Sequence, residues 1–307
     1  MASSVNLTVK LGSLIFKNPV LTASGTFGYA AEYKKYMDLN ALGGFIVKGL
    51  SVKPKKGNKP PRIVETPCGM LNAIGLQNVG IDRFIKEKLP LLEGVDAHII
   101  ANIYGTEADE FVELADKLEN IGRVSALEVN VSCPNVSKGG ALFGKNPNDV
   151  FSLTSSVKKH TSKPVIVKLT PNVDDVAAIA TAACDGGADA VSLINTITGM
   201  VIDTKTKKPF LANRTGGLSG PAIYPVGVRM VYEVYEKIKV PIIGVGGIYN
   251  SDIALQYLMA GAALIEIGTA NFTNPNITVE IIKGIKEFLE GENIKSVGDI
   301  VGIAHNA

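Results

Sequence analysis

Cys133 and Asn130 fall at the end of the run Ala126-Leu-Glu-Val-Asn-Val-Ser-Cys-Pro-Asn135, where Leu127, Val129 and Val131 alternate with Glu128, Asn130 and Ser132. A period of two marks a strand, and Pro134, which lacks a backbone N–H, stops it just past Cys133. A thiol at a strand's carboxyl end can take a proton from carbon in a dry site. Its ordinary pKa of about 8.5 leaves only a little thiolate at neutral pH, so the site must hold it against its substrate. A buried structural cysteine beside a turn-forming asparagine is the plainer alternative.

Other residues at similar places add to this. Lys48 and Lys168 close strongly apolar segments, GFIVK and PVIVK, where a lysine is costly unless it meets an anion or reaches water. Asn102, Asn130 and Asn195 recur at the ends of three apolar segments, and Asn72 lies in a long connection. Amides both donate and accept, which suits a ligand carrying ureido and carboxylate groups, although each could be a turn or cap residue. Gly246-Gly247 and Gly268-Thr269 offer bare backbone N–H groups and a hydroxyl, a phosphate cradle that needs no cationic side chain. The phosphate could belong to a cofactor or to a substrate.

Several chemistries are excluded. The three histidines, His98, His160 and His305, show no metal-ligand spacing and no hydrolase elbow. Cys68, Cys133 and Cys184 are too few and too scattered for a disulfide framework or a CxxC site, and no metal is expected. Gly244-Val-Gly-Gly-Ile-Tyr249 departs from GxGxxG after its second glycine, so a nicotinamide fingerprint is lacking. A net charge of +2 gives no nucleic-acid footprint, and Lys53 to Lys59 reads as a solvated loop. No apolar run approaches the roughly 18 residues of a membrane span, and no charged-then-apolar leader opens the chain, so a cytoplasmic location is expected.

The positioning elements follow from periodicity. A hairpin around Gly12 is expected to close the bottom of the domain. Apolar strands are predicted over 19–24, 43–48, 98–104, 126–133, 164–170, 190–196, 241–247 and 264–269. Helices are predicted over 31–39, 107–120, 149–160, from Asp174-Asp175 to Gly186-Gly187, over 222–238 and over 251–260. Three connections are long: 51–80, 134–148 and the insertion 197–220. The first mixes apolar residues, glycines and amides suited to a flat polar ligand; the second holds Gly139, Gly140 and Gly144 as hinges for a lid. With no second composition regime, the fold class is α/β, a (β/α)8 TIM barrel with a short N-terminal hairpin and inserted loops at the carboxyl end of the strands, one domain over 1–307. A doubly wound sheet is the structural alternative.

These segments together resemble the catalytic subunit of class 1B dihydroorotate dehydrogenases, flavin enzymes of pyrimidine biosynthesis, nearly end to end. The likeness is carried by Ala23-Ser-Gly-Thr-Phe-Gly28, Lys48-Gly49, Thr66-Pro-Cys-Gly-Met-Leu-Asn-Ala-Ile-Gly-Leu-Gln-Asn78, Asn130-Val-Ser-Cys-Pro-Asn135, Lys168, Asn195-Thr196, Gly246-Gly247 and Gly268-Thr269. It implies that Ser24, Lys48, Gly49, Asn102, Asn130, Lys168, Ile194, Gly220, Gly246, Gly247, Gly268 and Thr269 hold FMN. It implies substrate contacts from Lys48, Asn72, Ala73, Ile74, Gly75, Leu76, Asn130, Asn195 and Thr196, with Cys133 as the base. It also implies an electron-transfer partner bearing FAD and an iron–sulfur cluster, which passes electrons to NAD, in a heterotetramer built on a barrel dimer. Cys68 stands where a small residue is expected and has no assigned role. Two rival readings stay open: a stand-alone, fumarate-using class 1A enzyme, and a non-redox barrel lyase or isomerase holding a substrate phosphate.

Overall fold

A computed structural model describes residues 5–132 and 143–306. Eight parallel strands close into a barrel in chain order: β1 (Val20–Thr22), β2 (Gly44–Ile46), β3 (His98–Ile103), β4 (Val124–Asn130), β5 (Val165–Lys168), β6 (Ala190–Leu193), β7 (Ile242–Val245) and β8 (Ala262–Ile267). Closure is made by β8 on β1, with Glu266 opposite Leu21 and Ile267 opposite Thr22. The predicted strands are all present, and the doubly wound alternative is excluded because the sheet has no edge.

Alternation along the strands builds the lumen in layers. Leu21, Ile46, Ile100, Ala126, Ile166, Ala190, Ile243 and Leu264, one from each strand, form an apolar cluster with Leu11 and Phe16 of the N-terminal hairpin Val9–Leu11/Leu14–Phe16. The hairpin therefore closes the amino-terminal end, as its sequence suggested. Two residues further along each strand lie Ala23, Lys48, Asn102, Glu128, Lys168, Ser192, Val245 and Glu266, and most of this layer is polar.

Helices cover the outside, and their ends follow local chemistry. In the helix Ala108–Glu119 the buried Phe111, Leu114, Ala115 and Leu118 form one stripe, and Glu107 with Glu110 makes a capping box. Asp175 caps Val176–Asp185 by accepting from Ala178 N, and Gly187 leaves the helix at φ 96°. Two expectations need correction. The helix expected over 31–39 is only a 3-10 turn at Ala31–Tyr33, because Ala30 sits at φ 70° and no side chain caps the start. The last long helix, Ile277–Gly291, went unanticipated although Ile277, Ile281, Ile285 and Leu289 recur every four residues and are buried.

The largest departure concerns the connections. Within 51–80 the strands Ile63–Thr66 and Gly69–Asn72 form a hairpin, and the latter pairs with Gly216–Ser219 of the insertion, which pairs with Ile197–Gly199. Two inserts from opposite halves of the chain thus share one antiparallel four-stranded sheet at the carboxyl end of the barrel.

Candidate active site

Between this sheet and the barrel mouth lies a cleft of about 340 Å³. Of the residues expected around a ligand, Ser24, Lys48, Gly49, Asn72, Ile74, Gly75, Leu76, Asn102, Asn130, Lys168, Ile194, Asn195, Thr196, Gly246, Gly247, Gly268 and Thr269 line it. Ala73 does not: it is buried with Leu71 and Leu211 under the upper sheet. Gly220 stands behind the wall, its carbonyl 2.8 Å from where a Cβ on Gly247 would sit. Cys133, with Gly139 and Gly140, lies outside the described residues. A Cβ on Gly144 would meet Val131 O at 2.5 Å, so its small size permits close packing there.

The two lysines differ in kind. Lys168 is buried, and its Nζ lies 2.8 Å from Glu266 Oε2 and 3.4 Å from Glu128 Oε1. Burial alone would lower its pKa, but the two carboxylates win and raise it, so the ammonium keeps its charge. Lys48 is half-buried and, among the described residues, its ammonium has no hydrogen-bonded partner. Burial and then the Arg62 guanidinium lower its pKa, which leaves it poised to take an anion.

The amides are fixed by one another. Asn130 Oδ1 accepts from Ser132 N and Oγ at 3.2 and 2.7 Å, and Asn195 Nδ2 donates to Ser132 Oγ at 2.5 Å. Asn102 donates to Glu128 Oε2, while its buried Oδ1, beside Gly49, has no partner among the described residues. Asn72 reaches Gly217 O at 3.4 Å, and a Cβ on Gly217 would collide with Thr196.

At the opposite wall, Gly246 and Gly247 adopt φ 125° and 69°, and a Cβ on Gly247 would lie 2.7 Å from Tyr224 N. Thr269 Oγ1 donates to Ser219 Oγ at 2.8 Å, joining the end of β8 to the upper sheet. The donor set is therefore a bare-backbone cradle on one side, amides on the other and an ammonium in the floor. This fits a ligand with a phosphate and a flat, polar heterocycle.

Sequence reasoning missed Glu128, Glu266 and Ser192 in the floor, and Arg62, Gln77 and Ser219 at the rim. A signal existed for the first two, since ALEVN and LIEIG each carry a carboxylate inside an apolar strand and a buried carboxylate needs a cation.

The architecture and cleft define a (β/α)8 barrel protein with a ligand site at the carboxyl end of its strands, where such barrels carry their chemistry. The family profile described as dihydroorotate dehydrogenase matches residues 6–289, and the chain belongs to that family. It is 56% identical over 298 residues to "Dihydroorotate dehydrogenase B (NAD(+)), catalytic subunit" of Thermoanaerobacter sp. (strain X514), covering 97% of this chain and 98% of that one. The same description applies to a protein of Thermodesulfovibrio yellowstonii, 56% identical over 296 residues, covering 96% and 98% of the two chains. A crystal structure of DHODH from Eimeria tenella in complex with ferulenol superposes with a TM-score of 0.80 at 22% identity, over 98% of this chain and 89% of that one, a likeness of fold. Among the described residues no helix is long and apolar enough to cross a membrane, and no group of His, Cys, Asp and Glu is placed to hold a metal.

Proposed function

We propose that this chain, as one barrel domain over 1–307, is the FMN-bearing catalytic subunit of an NAD-linked dihydroorotate dehydrogenase, oxidising dihydroorotate to orotate in pyrimidine biosynthesis. The observation that carries the reading is the convergence in one cleft of the glycine cradle from β7 and β8 with Lys48, Lys168 and four asparagines from other parts of the chain. The extent and level of identity to catalytic subunits named for NAD supports the same acceptor.

In this reading Gly246, Gly247, Gly268 and Thr269 hold the FMN phosphate, and Ser24, Gly49, Asn102, Ile194 and Gly220 shape the rest of its seat. When bound in this seat, FMN would supply the hydride acceptor for the oxidation of dihydroorotate, the hydride coming from C6 of the substrate. Asn72, Asn130, Asn195 and Thr196 orient the substrate ring, with Ile74, Gly75 and Leu76 covering it. Lys48 neutralises the substrate carboxylate and the adjoining cofactor edge. Cys133 takes the C5 proton, and Lys168 keeps a positive charge under the ring so that negative charge is stabilised there.

Onward transfer requires a second protein. With only Cys68, Cys133 and Cys184, the chain cannot supply the four ligands of a cysteine-held iron–sulfur cluster. A partner subunit bearing FAD and such a cluster completes the route to NAD, in a two-plus-two heterotetramer around a barrel dimer, in the cytoplasm.

The test is to purify the full chain, record its visible spectrum, and assay dihydroorotate oxidation with NAD, with fumarate and with an artificial dye. A yellow protein with dye activity alone, gaining NAD reduction when the partner is added, is expected. Robust fumarate turnover by the isolated chain would establish the class 1A alternative, and a colourless protein that FMN does not reconstitute would end the flavin reading.

A further inference from the structure

Beneath the cleft, Glu128 and Glu266 converge on the one ammonium of Lys168, and all three are buried. Among the described residues no other Asp or Glu is buried, so this pair is placed unlike any other acid in the chain. Every acceptor but one in the pair is used: Glu128 Oε1 takes Ser192 Oγ at 2.8 Å and Lys168 Nζ, Glu128 Oε2 takes Asn102 Nδ2, and Glu266 Oε2 takes Lys168 Nζ. Among the described residues Glu266 Oε1 is buried with no donor. An ionised oxygen stranded in this way is strongly disfavoured, whereas a protonated one becomes a donor to the neighbouring carboxylate.

Charge leads to the same point. One ammonium between two carboxylates leaves this trio at a net −1; one retained proton makes the trio neutral and leaves the charge of Lys48, in the same layer, for an anion in the cleft above. Lys168 from β5 and Glu128 from β4 act directly on Glu266; the rest of its layer is Ser192 from β6, Asn102 from β3 and Lys48 beyond β2, with Ala23 and Val245, which do not titrate, from β1 and β7.

We propose that Glu128 and Glu266 share a single proton across the polar layer beneath the cleft, leaving one carboxylate to balance Lys168, and so act as positioning residues that set the charge presented to the ligand above. Two donors of the Lys168 ammonium are held by the carboxylates, which leaves its third N–H for the cleft that the residue lines. Burial, and after it the charge of Glu128, push the Glu266 carboxyl well above the usual carboxylate range, in keeping with retention of the proton. The consequence for FMN rests on the function proposed above; the shared proton does not.

The test uses the full chain with isotope-labelled glutamate and follows the infrared C=O stretch of protonated carboxyl groups. At neutral pH the wild type should show a protonated carboxyl that Glu266→Gln removes. Glu128→Gln should remove it as well, because Glu266 alone beside Lys168 then ionises. Absence of the band from the wild type, or its survival in both variants, would overturn the proposal. Should the variants fail to fold, titration of the wild-type band alone decides: it must persist at neutral pH and fade only well above the ordinary carboxylate range. A second reading separates this from the cofactor assignment. FMN dissociation constants at about pH 7 and about pH 9 should differ by about tenfold more in the wild type than in Glu266→Gln. An equal pH response in the two proteins would overturn the role in ligand charge, and a chain that binds no FMN but keeps the carboxyl band would sink the flavin reading alone.

Discussion

Asn195 donates from Nδ2 to Ser132 Oγ at 2.5 Å, so the end of β6 holds the residue next to Cys133 in place. Ser132 passes the restraint on to Asn130 Oδ1 at 2.7 Å. Strand ends β4 and β6, which are not neighbours in the barrel, are thereby tied across its mouth.

That tie bears on the proposed base. Cys133→Ala should stay yellow and bind orotate, yet lose flavin reduction by dihydroorotate by roughly two to four orders of magnitude in stopped-flow traces. Cys133→Ser should retain little activity at neutral pH and regain it as pH rises, because a hydroxyl is the weaker acid. Near-normal reduction by the alanine variant, or a flat profile for the serine variant, would remove Cys133 from the role.

The lysines should separate cleanly. Lys168→Ala strands Glu128 and Glu266 without their cation, and breaking a buried pair in this way costs about 3–5 kcal/mol, to be read from urea unfolding. Lys48→Ala breaks no ion pair among the described residues, so its stability should change by less than about 1 kcal/mol. Its orotate affinity should fall, by calorimetry or flavin absorbance titration. Equal stability in both variants would contradict the difference in their surroundings.

Gly247 is the most exacting point of the cradle. At φ 69°, with Tyr224 N at 2.7 Å and Gly220 O at 2.8 Å from an added Cβ, it has room for no side chain. Gly247→Ala should destabilise by more than about 1 kcal/mol and lower the FMN content of the purified protein. Gly268→Ala, whose Cβ would meet only Ala23 at 3.6 Å and Thr26 at 3.9 Å, should keep its stability. Indistinguishable melting curves for the two would count against the crowding at Gly247.

Acid stability has an identifiable contributor away from the cleft. Hydrogen bonds from Ser162 and Thr161 hold the Glu119 carboxyl down to about 2. A carboxylate whose folded pKa is depressed contributes fully above its unfolded value and loses that contribution as pH falls through the folded one. Glu119→Gln should therefore lower stability at neutral pH and flatten the decline between about pH 4.5 and pH 2 in acid-unfolding curves. A decline as steep as in the wild type would assign it to other groups.

The sequence by itself determined the barrel, because each strand is an apolar run bounded by turn residues and helices such as Ala108–Glu119 and Val176–Asp185 carry their own stripe and caps, all local signals. It also marked most of the cleft: residues such as Lys48, Asn130, Gly247 and Gly268 sit just past apolar runs, and that position defines one end of a parallel barrel. Tertiary structure alone decided how Asn72 meets Gly217, since they are 145 residues apart and neither insert has a pattern naming the other. It alone distinguished Lys168 from Lys48, which look alike as strand-closing lysines. The difference lies in Glu128 and Glu266, brought to one ammonium by alternation on strands that meet only when the barrel closes, and burial there makes a charge's partners, more than its type, decide what it does.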